Sequence, residues 1–250
     1  MEPPQTAVIL AAGRGKRLKE LSANRPKPLV EINGTSILWN LVQSIVANGL
    51  KRAVLVVGYK AEAIINHLKP FEHSIEIVYV RNDVYATTNN IYSLWLARDY
   101  LDAGFYLFEA DIYFEPKIMS KLVQQTAENI MLIDHYTNRM NGTVVTCDSE
   151  NRITKMILKR DQTRGFDFTD TYKTVNFYRI STNFYRDFCR RKLAEYIDQN
   201  DVSSYYEAII KEGIAEGYKF AGLKANPCKW WEIDTRKDLQ IAEKIFNQAK

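Results

Sequence analysis

Ala7-Val8-Ile9-Leu10-Ala11-Ala12-Gly13-Arg14-Gly15-Lys16-Arg17-Leu18, with Arg25-Pro26-Lys27-Pro28-Leu29 a short way downstream, is the stretch from which the architecture can be read. A short apolar run without polar alternation is what a strand buried on both faces looks like, and such strands belong to parallel sheets. The run stops at a loop holding two glycines and several cations. Backbone amides in such a turn can face an anion while arginine and lysine supply countercharge, so the loop reads as a phosphate nest. A tight turn with solvated cations is the competing reading. Gly13-x-Gly15-x-x continues into Leu18 rather than a third glycine, so the dinucleotide-binding fingerprint is incomplete, and no G-x-x-x-x-G-K-[ST] run occurs.

Working outward, residues 36–48 carry apolar side chains at helical spacing (Ile37, Leu38, Leu41, Val42, Ile45, Val46), and Asn48-Gly49 closes them as a helix end should. Ala53–Val57 reads as a second buried strand, 60–68 as a helix and 75–80 as a third strand. This alternation predicts right-handed βαβ units, hence an α/β fold with a Rossmann-like, mostly parallel sheet flanked by helices. A polar, turn-rich segment (82–90) precedes a helix over 91–101 and a strand over 105–114. Period-two alternation puts Phe105, Leu107, Glu109 and Asp111 on one face of that strand. Two carboxylates therefore share a face at a strand's C-terminal end, where open α/β sheets bind ligands. After a helix over 118–127 the pattern changes to short strands at 130–134, 142–146, 152–158 and 174–179, with a hairpin turn at Asp148-Ser149-Glu150-Asn151. No linker precedes this part, so it reads as a small antiparallel extension. Helices over 182–200 and 203–216, a strand over 229–234 and a last helix over 236–248 complete the chain, with Glu232 and Asp234 on one face. The expected organisation is one domain, 1–250, with its core at about 6–130 and 218–248 and an acceptor-side insertion at about 131–217.

Composition narrows the function classes. The 250 residues carry 34 Lys and Arg against 30 Asp and Glu, a net charge of +4, with 46% hydrophobic residues. That is an ordinary globular balance, and the cations are scattered, so no nucleic-acid footprint is indicated. Cys147, Cys189 and Cys228 are far apart and His67, His73 and His135 show no ligand spacing, which argues against zinc sites and disulfides. The N-terminus is wrongly built for a signal peptide and no run approaches a membrane span; a cytoplasmic protein without a membrane partner is expected.

Two further groups of residues can carry chemistry. Asp111 and Asp234 each end a strand rich in apolar residues and each has a carboxylate two residues earlier; together they suit magnesium, which takes one or two carboxylates plus substrate phosphates. Each could instead cap a helix, Asp234 especially because it precedes Thr235-Arg236. Tyr205-Tyr206-Glu207 and Trp230-Trp231 are dense in aromatics, which could hold an ammonium group by cation–π attraction or simply pack a core.

Leu10-Ala11-Ala12-Gly13-x-Gly15-x-Arg17-Leu18 with Pro26-Lys27-Pro28-Leu29 resembles the signature of nucleotidyltransferases that join a phosphorylated small molecule to a nucleoside triphosphate. Thr88-Asn89-Asn90-Ile91-Tyr92-Ser93-Leu94, Glu109-Ala110-Asp111 and Trp231-Glu232-Ile233-Asp234 look like the bacterial CTP:phosphocholine cytidylyltransferase branch, close to the 2-aminoethylphosphonate cytidylyltransferases. Lys173-Thr174-Val175-Asn176-Phe177-Tyr178 resembles the same branch, including versions fused to an aminotransferase-like domain; without that domain the chain reads as a stand-alone enzyme or an excised module. The resemblance runs nearly end to end. It implies a nucleotide site of Leu10, Ala11, Ala12, Gly13, Gly15, Arg17, Lys27, Gly58, Thr88 and Asn89, with Arg17 and Lys27 acting on the reacting phosphates and Asp111 and Asp234 holding Mg²⁺. Arg14 and Lys16 fill positions that vary in the family, and Lys16 could face phosphate or solvent.

For the acceptor, Asn90, Ser93, Glu109, Tyr178, Tyr205, Tyr206, Glu207, Trp230, Trp231 and Glu232 are the candidates. The expected partners are CTP and a small amine-bearing phosphate, phosphocholine first, with 2-aminoethylphosphonate as the alternative. A sugar-1-phosphate nucleotidyltransferase, a nucleotide-sensing module without chemistry and a dehydrogenase are weaker readings. A homodimer stays open, because these residues do not fix the oligomeric state.

Overall fold

The computed structural model describes residues 3–18 and 25–247, without the side chain of Lys16. Strand β1 (Thr6–Ala11) lies at the centre, flanked in parallel by β4 (Arg52–Val57) and β6 (Phe105–Glu109), with β5 (Glu76–Arg81) parallel beyond β4. A strand with neighbours on both edges and helices over both faces has no solvated side, which is why 7–10 are all apolar. Ala7, Ile9 and Ala11 enter one core; Val8, Leu10 and Ala12 enter the other. The first core packs against helices α1 (Ile37–Ala47) and α2 (Ala61–Leu68), the second against α3 (Asn90–Leu96). Between β1 and α1 a two-residue hairpin, β2 (Glu31–Ile32) and β3 (Thr35–Ser36), interrupts the simple alternation.

The antiparallel part is not separate from this sheet. Long strand β11 (Tyr172–Ile180) pairs antiparallel along one edge with β6 through Phe177–Ile180 and with β9 (Val144–Cys147) through Tyr172–Lys173, and along the other edge with β8 (Ile130–His135); β10 (Ile153–Ile157) hangs from β9. Strand β12 (Ala221–Lys224), which the sequence does not announce, adds in parallel to β8. The result is a nine-stranded mixed sheet, parallel at its centre.

Several boundaries differ from expectation. The strand expected over 105–114 breaks after Glu109; β7 (Ile112–Phe114) leaves the sheet and pairs antiparallel with β13 (Trp230–Glu232). The helix expected over 91–101 gives way to a 3₁₀ turn at Arg98–Tyr100, and that over 118–127 is α4 (Lys117–Val123). The one over 182–200 contains a π-helical turn, Tyr185–Cys189, before α5 (Arg190–Asp198). Residues 203–206 form the approach to α6 (Glu207–Ala215) rather than its first turn, and α7 (Arg236–Ile245) closes the described chain. No described helix is long and apolar enough to cross a membrane.

Candidate active site

A cavity of about 1130 Å³ opens at the C-terminal ends of β1 and β6. Its floor on the β1 side is the first loop: Leu10, Ala11, Ala12, Gly13, Arg14, Gly15 and Arg17 all line it. Gly15 takes φ +65°, and a Cβ there would stand 2.9 Å from Cβ of Lys27, so glycine is required by both backbone and space. Gly13 instead has open space where a Cβ would be. Gly58, expected near the base, does not line the cavity: a Cβ would come 2.8 Å from the Ala12 carbonyl oxygen, so its part is to let the end of β4 pack beneath the loop.

The β7–β13 ribbon brings the two aspartates together. Ile112 pairs with Glu232 and Trp231 with Tyr113, while the Ile233 amide donates to the Asp111 carbonyl at 2.9 Å. The break after Glu109 therefore sets Asp111 beside the chain that carries Asp234. Neither aspartate is spent as a helix cap. Thr235 is the N-cap of α7, closed in a capping box with Asp238, and Asp111 precedes a strand. Lys27 Nζ instead donates to Asp111 Oδ2 and Asp234 Oδ1, both at 2.7 Å, and Arg17 pairs with Asp234 at 2.8 Å. Burial alone would depress the Lys27 pKa, but the two carboxylates outweigh it and hold the ammonium above its ordinary range.

Glu232 joins this pair: one oxygen each from Asp111, Glu232 and Asp234 lie within 4.8 Å of one another. Asp111 Oδ1 is buried without a hydrogen-bond partner, and burial pushes the Glu232 carboxyl up to about 7, with Lys173 opposing and Asp111 and Asp234 adding to the effect. An orphaned carboxylate oxygen inside an all-oxygen donor set is a fit for a hard divalent cation.

Further from the first loop, Glu109 is enclosed by donors. Tyr206 Oη and Asn90 Nδ2 donate to its Oε1 at 2.9 and 3.2 Å, and Asn176 Nδ2 donates to Oε2 at 3.3 Å. Desolvation raises its pKa well above the usual carboxylate range, with Asp111, Glu207 and Glu232 adding repulsion. Burial raises Glu207 as well, against a hydrogen bond from Thr143. Asn176 has φ +59° within β11, where the pairing with β8 shifts register, and this left-handed kink turns its amide toward Glu109.

The aromatic cage does not form as expected. Of the predicted aromatics only Tyr205 lines the cavity, and it is 54% exposed. Tyr206 and Tyr178 stand edge to face at 5.8 Å and fully buried, Tyr206 serving Glu109 as a donor. Trp230 lies in the core with Nε1 bonded to Asp134 Oδ2 at 2.7 Å, and Trp231 packs on the small cluster around Ile233 and Leu18. Strand pairing with β7 sends both indoles away from the cavity.

Asn90, Ser93, Glu109, Glu207 and Glu232 do line it, as do Thr88 and Asn89. Thr88 and Asn89 are also tied down: Thr88 Oγ1 donates to the Val84 carbonyl, and Asn89 caps α3 and donates to the Ser203 carbonyl. Sequence reasoning missed Asn82, Gly142, Thr143, Lys159, Arg160 and a role for Lys173, all on the wall. They come from loops and a bulged strand whose neighbours are set by the tertiary fold, so no local spacing marks them.

The profile of the nucleotidyl transferase family matches residues 6–239. A CMP-5'-(3-aminopropyl)phosphonate synthase of Streptomyces rubellomurinus is 32% identical over 99% of this chain, which spans 40% of that relative's length. A 2-aminoethylphosphonate cytidylyltransferase of Lancefieldella rimae is 26% identical over 84% of this chain and 80% of its own, and a choline-phosphate cytidylyltransferase of Streptococcus pneumoniae 35% over 48% of this chain and 51% of its own. Among solved structures, the CTP:phosphocholine cytidylyltransferase of Streptococcus pneumoniae superposes with a TM-score of 0.79 over 97% of this chain and 99% of its own, at 21% identity, a likeness of fold. The match runs from the first strand into the last helix, and the chain belongs to the nucleotidyl transferase family.

Proposed function

We propose that this chain is a cytidylyltransferase that moves CMP from CTP to a small phosphonate or phosphate ending in a primary amine, with release of pyrophosphate. The observation that carries the reading is the joining, in one cavity, of the glycine loop with Arg17 and Lys27 on one side and a carboxylate-rich end around Glu109 and Glu207 on the other. The relatives named for aminophosphonates support the acceptor class. Leu10, Ala11, Ala12, Gly13 and Gly15 would bed the nucleotide, with Thr88 and Asn89 at the side.

The chemistry asks for no general base when the acceptor is a phosphate monoester, whose second pKa is about 6. The barrier is the approach of one anion to the α-phosphorus of another. Arg17 and Lys27 lower it by neutralising the triphosphate, the developing charge and the departing pyrophosphate. Asp111 and Asp234, with Glu232 beside them, would hold Mg²⁺, which when bound supplies charge neutralisation at the phosphates. Glu109, kept in one orientation by Asn90, Asn176 and Tyr206, would accept from the acceptor's ammonium, as would Glu207.

Phosphocholine is the second reading, favoured by Tyr205 on the wall and by the choline-phosphate relative. A trimethylammonium offers no N–H to Glu109, so the two separate on one measurement. Pyrophosphate release is followed with each of four NTPs against 2-aminoethylphosphonate, phosphoethanolamine, phosphocholine and glucose-1-phosphate. CTP with the primary amines is the expected pair. Turnover with phosphocholine in preference would move the assignment to the second reading, turnover only with glucose-1-phosphate would refute an amine-bearing acceptor, and none at all would point to a nucleotide-sensing module. Asp111→Ala should abolish turnover; a variant with near-normal Mg²⁺-dependent activity contradicts the metal assignment.

A further inference from the structure

Lys173 is 2% exposed, sits in β11 and still borders the cavity. Its Nζ donates to the Thr174 carbonyl at 2.6 Å and stands 3.6 Å from Glu232 Oε2. An ammonium has three N–H groups, so at most two are engaged by these neighbours. Gly142, at φ +110°, passes directly over it: a Cβ there would be 3.3 Å from both Cε and Nζ. A lysine is rarely buried so deeply, and this one borders a cavity lined by carboxylates.

The charge around it gives the position a purpose. Glu109, Asp111, Glu207, Glu232 and Asp234 all line the cavity, and a phosphoryl or phosphonyl nucleophile must enter among them as an anion. Lys27 and Arg17 are engaged with Asp111 and Asp234 on the nucleotide side. Lys159 and Arg160 line the wall but are exposed. Among the described residues lining the cavity, Lys173 is the buried cation on the acceptor side, between Glu232 and the α6 end that carries Glu207.

We propose that Lys173 is the residue that binds the anionic phosphoryl or phosphonyl group of the acceptor, holding it beside Glu232 while the ammonium end lies at Glu109. This rests on the cytidylyltransferase reading and adds a polarity to the acceptor site: cation inward at Lys173, carboxylate at Glu109, matched to a short zwitterion.

The test is steady-state kinetics of Lys173→Met and Lys173→Arg with CTP and 2-aminoethylphosphonate, together with manganese binding to each protein in the absence of substrates. Loss of a charge-assisted contact should raise the acceptor KM about 10- to 100-fold in Lys173→Met. The CTP KM and the manganese affinity should stay within about twofold, and Lys173→Arg should recover part of the loss. An unchanged acceptor KM overturns the proposal, and so does a parallel rise in CTP KM or loss of manganese binding, which would make Lys173 a counter-charge for the acidic triad. Because the methionine variant could fail to fold, a crystal structure of the unaltered protein with 2-aminoethylphosphonate serves as an independent measurement. The phosphonate within hydrogen-bond reach of Nζ supports the assignment, and a phosphonate bound elsewhere removes it. If the unaltered protein turns over no amine-bearing acceptor with CTP, the failure lies in the underlying functional reading instead.

Discussion

Lys27 is the residue on which the glycine-loop side of the cavity turns, because it stands between two carboxylates at 2.7 Å each with only 12% of its side chain exposed. Taking away one partner of a buried ion pair leaves uncompensated charge, and here it leaves two carboxylates facing each other. Lys27→Met should therefore lower stability by on the order of 3 kcal/mol in metal-free buffer. If Asp111 and Asp234 hold a divalent cation, added Mg²⁺ should restore part of that loss and raise the melting temperature of the variant more than that of the parent protein. Equal Mg²⁺ shifts in both would separate the two aspartates from metal binding. The same scale explains Asp234. In the sequence it could have been a helix cap; Thr235 takes that task through its capping box with Asp238, which frees Asp234 to face Lys27 and Arg17.

At the scale of elements, close packing dictates glycine in places where helix propensity argues against it. Gly213 lies within α6, and a Cβ there would come 2.4 Å from Cε2 of Phe184. Alanine would gain up to about 1 kcal/mol of helix propensity, yet overpacking a core typically costs about 1–3 kcal/mol. Gly213→Ala should be net destabilising, seen as a lower urea midpoint at unchanged slope.

Helix α1 offers a pH test. Ser36 caps it, accepting from the Trp39 amide at 3.0 Å, and Ser36 Oγ is also 2.8 Å from His67 Nε2 on α2. Burial lowers the His67 pKa below its ordinary 6.5, with Glu31 opposing. The folded state therefore binds that proton less readily than the unfolded chain, so stability is full above the unfolded value and falls as pH drops toward the folded one. Chemical denaturation from neutral pH down to about pH 5 should show this loss, and His67→Gln should flatten it.

For the molecule as a whole, ligand linkage gives the most direct reading of what the cavity binds. A ligand that binds only the native state at about 100 times its Kd adds about 2.7 kcal/mol. For a domain of this size that corresponds to a rise of about 5–10 °C in melting temperature. CTP with Mg²⁺ should produce such a rise and other nucleoside triphosphates a smaller one, with EDTA reversing it; an equal response to all four would remove the preference for cytosine. The whole molecule also decides who meets whom. Glu109 is satisfied by Asn90 from α3, Asn176 from the kinked β11 and Tyr206 from the approach to α6, three segments that converge only because β6 pairs with β11 and α6 packs over the same core.

The sequence by itself determined the parallel centre, since a run like 7–10 can be buried only between two neighbouring strands. It also marked the glycine loop, Lys27 and the strand-end carboxylates, because close approach of backbone to backbone and of cation to anion restricts residue type locally. Only the tertiary structure decided that 105–114 breaks in two, because pairing of β7 with β13 is a contact between residues more than a hundred positions apart. That same pairing turned Trp230 into the core and laid Trp231 half-buried on the cluster around Ile233, both off the cavity wall. Pairing of β11 with β8 and β9 likewise brought Lys173, unmarked by any spacing, to the wall of the cavity. A cavity wall assembled from loops and a strand kink has no period to read, and its chemistry exists only once the chain has closed around it.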